Sequence, residues 1–413
     1  MKPQRIEIPT IQNWSCHGCT DCCRGRLMIA ITPEEKRRLE QQNWTAADGV
    51  DPDSMFVPQG QQYRLGHAAD GACVFLDAAG CCRIHTRFGE AAKPLACRLY
   101  PLVIHPAGKG VAVGLRFSCP SAAANRGLPL SAQAKAIRGL AALVVPKDYH
   151  EGSPPPIADK PGLEWPDFLR FVKWLDTTLA AEEAPVALKL LRGLHWLNAV
   201  EKGSLDQITG GGADEILEVL VRSAGEKQPS LPAEPARPSA FGQLFLRLLV
   251  LEQTRTVTSE APEERSAQLW RKLLAALRLM RSGGRTPALS QELKRVAFAD
   301  TEKSFGPLPA GAEALLTRYF RVKVQSLHFC GRAFYDQPLI EGFRFLALMS
   351  PVIIWLARWL ALSAGRAAVE DADVLKAVTL VDYQYSYAPY LTWRTRLLQQ
   401  RNDIARLCAW YAR

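Results

Sequence analysis

Nine of the chain's eleven cysteines fall between Cys16 and Cys119, and four of them sit in the run Cys16-His17-Gly18-Cys19-Thr20-Asp21-Cys22-Cys23. The others are Cys73, the adjacent pair Cys81-Cys82, Cys97 and Cys119. Thiols at this density are joined as disulfides or held by metal, and either choice constrains the fold more than any hydrophobic pattern does. The opening MKPQRIEIPTIQNW carries no apolar run of signal-peptide length, and the cysteine total is odd. Both features argue against a disulfide framework. They predict a cytoplasmic chain in a reducing compartment, with the clustered thiols acting as metal ligands.

Spacing bears on which metal. A CxxC turn brings two sulfurs to one ion or to two irons of one cluster. A CxxCxxC run supplies three ligands to a cubane cluster, with a fourth from far along the chain. Zinc favours two CxxC-like pairs around a tetrahedral ion. One such run is present, and the later cysteines come singly or as neighbours that do not both point at one small ion. The balance therefore tips toward a 4Fe-4S iron–sulfur cluster, with zinc as the alternative. His17 and His85 are further ligand candidates, and His105 reads as structural. Cys330 and Cys408 stand alone in apolar surroundings and read as small buried hydrophobes.

The fold class expected is mainly α: an irregular cysteine-rich N-terminal module packed on a multi-helix body. Residues 1–128 form the metal-binding module, with short strand-like pieces at Leu27–Ile31, Val74–Leu76 and Val111–Val113. A helix is predicted from Pro33 to Gln42, capped by Thr32, with Pro33, Glu34 and Glu35 in its first turn. Residues 129–225 form a helical region. Helices are predicted at Ser131–Val145, from Glu164 onward, at Pro185–Ala199 and at Ala213–Ser223. Residues 226–240 read as a Pro-rich linker or loop, and 241–413 as a helical domain with helices at Phe241–Gln253 and Glu263–Met280.

The formal charge of +10 is spread along the sequence and gives no clear nucleic-acid signal. The longest apolar stretch, Phe345–Ala357, is flanked by Arg344 and Arg358 and contains Pro351. A spanning helix needs about 20 apolar residues, so this stretch is expected to be a buried helix with no membrane span. Gly210-Gly211-Gly212 lacks the spacing of a dinucleotide loop and reads as a turn.

Five blocks occur in order: CxxCxxCC, GxCxFLD, GxCCxIHxRFGE, KPxxCRxYP and SCP, over Cys16 to Pro120. This order resembles the YkgJ-type cysteine-cluster family, described as zinc- or iron-chelating. The resemblance implies Cys16, Cys19, Cys22, Cys23, Cys73, Cys82, Cys97 and Cys119 as the metal residues, and leaves Cys81 outside the set. The whole-chain layout, including Leu315–Ser363 and Asp371–Val374, is similar to the flagellin lysine-N-methylase family. That similarity implies a methyltransferase using S-adenosylmethionine, with a protein substrate as partner. The alternative is a zinc-binding or metal-storage scaffold without catalysis. Arg98, Tyr100 and Arg116 flank the later cysteines and are candidates to support the ligands.

Overall fold

The computed structural model describes residues 5–24, 29–60, 62–146, 149, 152–160, 162–254, 274–279, 284–385, 398 and 402–413. Among the described residues the chain is mainly helical, with two small sheets near its start.

The first sheet joins β1 (Arg5–Glu7), β5 (Leu102–Ala107) and β6 (Gly110–Leu115) in the order β1-β6-β5. β1 runs parallel to β6, and β5 and β6 form a hairpin that pairs Ala107 with Gly110. Gly108 opens its two-residue turn at φ 58°, a conformation that matches strand twist and favours glycine. The second sheet joins β2 (Ala30–Ile31), β3 (Phe56–Gln59) and β4 (Gln62–Leu65) in the order β2-β4-β3. Leu27 and Met28 lie outside the described residues. Val111–Val113 falls within β6 as expected. Val74 and Phe75 form a turn instead of a strand, between bridges at Cys73 and Leu76.

The first helix, α1 (Pro33–Glu40), has the capping box its sequence predicts. The Thr32 side chain accepts from the Glu35 N–H, and Glu35 accepts from the Thr32 N–H. Short helices α2 (Arg83–Phe88), α3 (Leu95–Leu99) and α4 (Pro120–Ala123) follow, then α5 (Ala134–Val144).

The body comprises α6 (Trp165–Ala180), α7 (Val186–Lys202), α8 (Gly211–Lys227), α9 (Ala240–Gln253) and α10 (Phe298–Thr301). It continues through α11 (Ala310–Gln325), α12 (Leu339–Ser363), α13 (Asp371–Tyr385) and α14 (Asp403–Tyr411). Of the helix expected over Glu263–Met280, residues 274–279 are helical and the rest lies outside the described residues. One hydrophobic core runs through α6–α14 on both sides of the Pro-rich stretch. Burial of this apolar surface is the main force holding the body together.

α12 is the axis of that core. Among the described residues it is the one helix long and apolar enough to cross a membrane, and 94% of its apolar window is buried by the other helices. Pro351 interrupts its ladder, because proline has no N–H to give the Ala347 carbonyl four residues earlier. The Cys408 thiol of α14 faces that carbonyl, with Sγ 3.6 Å from the oxygen. Cys408 and Cys330 are both buried, as expected of small hydrophobes.

The module joins the body where β6 ends. Phe117 is fully buried in the helical core, edge-on to Tyr319 with ring centroids 5.1 Å apart. Gln12 accepts from the Arg318 guanidinium at 3.1 Å, and His105 Nε2 lies 2.7 Å from the Ser326 carbonyl oxygen. These contacts fix the cysteine region against α11 and the turn that follows it.

Candidate metal centre

Cys73, Cys82 and Cys97 are carried by the β2-β4-β3 unit and pack on a core that includes Ile31, Leu39, Trp44, Phe75 and Ile84. Each is placed by backbone. The Cys73 N–H donates to the Cys23 carbonyl at 2.6 Å, tying the later cysteine to the first run. Cys82 precedes α2, whose first N–H, from Arg83, donates to the Phe75 carbonyl at 2.8 Å. Cys97 lies in α3, which is held to α1 by the Leu95 N–H donating to Glu35 Oε1 at 2.7 Å. Gly66 closes the other side: a Cβ there would fall 1.8 Å from the Ser54 carbonyl oxygen, so only glycine permits this approach. Its own carbonyl accepts from the Val74 N–H, next to Cys73.

Cys119 belongs to a different core, that of the β1-β6-β5 sheet. It occupies the N-cap position of α4, where burial raises its thiol pKa against the pull of the nearby Ala122 and Ser121 N–H groups and the Trp14 indole. The Trp14 Nε1 is shut off from water and has no hydrogen-bond partner. The first run arrives beside it because the Trp14 and Ser15 N–H groups donate to the Leu128 and Arg126 carbonyls. Gly18 at φ 65° and Thr20 at φ 62° turn the chain within the run, and Cys16, Cys19, Cys22 and Cys23 all border the same cavity.

All nine of these cysteines line one cavity of about 520 Å³. Eight are the residues implied by the family resemblance, and the ninth is Cys81, whose N–H is fixed by Asp77 Oδ1 at 2.7 Å. Cys16, Cys19 and Cys81 are exposed, Cys119 is buried, and the remaining five are half-buried. Cys22 Sγ and Cys23 Sγ are 3.7 Å apart. Among the described residues, no three His, Cys, Asp or Glu side chains converge on a point where a single ion would sit. The sulfurs surround a volume instead.

The thiols raise one another's pKa. Burial pushes Cys73 up to about 11, with the charges of Cys82 and Cys22 acting the same way. Cys97 is raised by burial and then by Cys73, against the pull of the Lys93 ammonium. Cys22 is raised by its contact with Cys23 and by burial. Negative sulfur in this half-apolar cavity lacks positive charge, and Lys93 alone does not supply it. A bound cation or cationic cluster reverses that balance, so the soft donor set fits zinc or iron.

His17 and His85 both line the cavity. His17 Nδ1 is 3.3 Å from Ser121 Oγ, and His85 Nδ1 is 3.0 Å from Glu90, which also holds Lys93. Tyr100 faces Ser118 Oγ at 3.3 Å, and burial raises its pKa. Arg98 lines the cavity with a buried, unpaired Nε. Arg116 instead acts on Lys323 and His328 of the helical body. Asp382 is a residue that sequence reasoning missed. It accepts from the Ser118 N–H at 3.0 Å across 264 positions, and no local signal announces it.

Residues 15–119 match a family model, CxxCxxCC, described as a "Putative zinc- or iron-chelating domain". No curated protein matches the chain. No solved structure matches it either. The cysteines gathered around one cavity are those the family model spans, so residues 15–119 are similar to a zinc- or iron-chelating cysteine-cluster domain.

Proposed function

We propose that this cavity binds an iron–sulfur cluster of the 4Fe-4S type and that the chain is an iron–sulfur protein. The observation that carries this reading is the ring of sulfurs around about 520 Å³ with no three-donor convergence on a single point. Zinc draws its four ligands to about 2.3 Å from one centre. A polynuclear cluster spreads them around a volume, and this volume is more than ten times the roughly 30 Å³ share of one water. The bound group would supply one-electron redox chemistry or rigid cross-linking, held by cysteines of the inner wall. Lys93 and the Arg98 guanidinium are placed to offset its negative sulfur.

A zinc-held scaffold is favoured by one feature. The core behind Cys73, Cys82 and Cys97 is small, and small cores commonly need a metal staple. The methyl-transfer reading rests on sequence layout. Gly210–Gly212 is the open start of α8, with nothing packed on any of the three glycines, so it offers no cradle for a nucleotide-like donor.

The test is the iron, acid-labile sulfide and zinc content of protein prepared without oxygen. Iron and sulfide in equal amounts, with broad visible absorbance, are expected. A colourless protein that holds zinc alone overturns the cluster.

A further inference from the structure

We propose that a second groove, beside the cysteine cavity, binds a small ligand through a carboxylate or phosphate group, and that this oxyanion and the bound metal draw on one guanidinium, that of Arg98. The anion site stands on the groove alone; its link to the metal rests on the metal-binding reading above.

The groove, of about 660 Å³, lies between α1, α3 and the end of α5. That volume suits a small ligand. Among the described residues, Arg98 is the one that lines both this groove and the cysteine cavity. Backbone sets its place. Its N–H donates to the Pro94 carbonyl at 3.1 Å, and the Leu95 N–H bond to Glu35 holds α3 on α1. The bond that seats Cys97 therefore also seats Arg98.

Positive charge in the groove is uncompensated. Arg37, Arg38 and Arg98 line it against Glu34 and Glu35. Glu35 is already occupied by backbone, since its two oxygens accept from the Thr32 and Leu95 N–H groups. Arg38 donates to the Lys93 carbonyl at 3.1 Å. Arg37 is exposed and Arg98 half-buried. Among the described residues no acceptor takes either of these two guanidinium groups, and Arg98 Nε is shut off from water as well. Buried N–H groups are nearly always paired, and an unpaired guanidinium fork matches a planar oxyanion. Two free forks on one groove select a ligand whose charge sits on carboxylate or phosphate oxygens over a neutral one.

The shared wall gives the site a consequence. Metal-bound thiolates carry negative charge, and Arg98 borders them. An oxyanion in the groove competes for the same positive charge. The anion and the metal therefore weaken each other's binding, by equal factors because linkage is reciprocal.

The experiment uses the full metal-loaded chain, prepared without oxygen and titrated by calorimetry with succinate in one arm and inorganic phosphate in the other. One equivalent of at least one anion is expected to bind, and the arm that responds tells carboxylate from phosphate. Arg37→Gln and Arg98→Gln are each expected to weaken that binding by about tenfold or more. At saturating anion, metal loss to a competing chelator is expected to rise in the wild type and in Arg37→Gln, and to stay level in Arg98→Gln. Binding of neither anion overturns the site, as does wild-type affinity in Arg37→Gln, a surface change that does not depend on how Arg98→Gln folds. Metal loss that ignores the anion in the wild type overturns the shared guanidinium. A chain that holds no metal overturns the metal reading instead, and the two calorimetric arms still decide the groove.

Discussion

The Lys323 ammonium lies 2.6 Å from the Asp382 carboxylate, and both side chains are closed to solvent. Lys323 also faces His328 Nδ1 at 3.0 Å and the rings of Tyr385 and Tyr319 at 4.7 and 5.5 Å from their centroids. Burial lowers the Lys323 pKa, and Asp382 opposes the shift. The other Asp382 oxygen receives the Ser118 N–H, one residue before Cys119. Asp382→Asn keeps an acceptor for Ser118 but leaves a buried ammonium unpaired. It is expected to cost about 3–5 kcal/mol in denaturant unfolding. Adding Lys323→Met is expected to recover most of that loss. If the double variant is no more stable than Asp382→Asn, the pair is not what holds α13 to α11.

The same region makes stability depend on pH. Burial holds the His105 pKa below its ordinary 6.5, against its contacts with Ser326 and Pro106. His328 is held well below by burial, then by the Lys323 and Arg116 charges. Below pH 6.5 the unfolded chain takes up protons that the folded chain refuses. Stability is therefore full above that pH and falls as pH drops toward the folded values, by at most about 1.4 kcal/mol per pH unit for each histidine. The urea midpoint is expected to decrease from about pH 7.5 to about pH 5.5, and less steeply in His105→Gln. Equal slopes in the two proteins would remove His105 from the account.

What the sequence discloses here is what short-range chemistry decides. The Thr32 cap, the Pro33 start and the buried Phe345–Ala357 segment each depend on neighbours within a few turns. The cysteine spacing discloses a metal site for the same reason. The Val74–Leu76 strand is misread because its apolar triplet looks extended, whereas bonds to Cys23 and Gly66 bend the chain there. Glu35 shows the limit well: its capping role is local and legible, but its second bond, to the Leu95 N–H sixty positions away, is not. Cys81 lies outside the positions implied by family resemblance, yet the turn at Asp77 brings it to the cavity wall.

Cys408 compensates for Pro351, and that relationship is testable by chemistry at one atom. The Ala347 carbonyl lacks its helical donor, and the Cys408 thiol replaces it. Burial pushes the thiol pKa up to about 12, so it stays a donor. Cys408→Ala is expected to destabilise by about 1–3 kcal/mol, the cost of an unpaired buried carbonyl together with a small void. Cys408→Ser restores a hydroxyl donor and is expected to cost less. Cys330→Ala is expected to leave the metal content unchanged. Equal losses for Cys408→Ala and Cys408→Ser would assign the effect to packing alone.

Trp14 is the residue whose loss separates a ligand's support from the ligand itself. Its indole N–H is buried without a hydrogen-bond partner and acts on the Cys119 thiol, where it favours the thiolate. A donor in that position favours the thiolate over the thiol and fixes the direction of the sulfur lone pairs. Trp14→Phe keeps the ring against the β1-β6-β5 core and removes only the donor, so folding is expected to change little. Partners of this kind commonly contribute about 10–100-fold in metal affinity. The metal affinity of the cysteine cavity, read by chelator competition, is expected to fall within that range with the thermal unfolding of the metal-free chain unaltered. Unchanged affinity would show that the indole serves packing only.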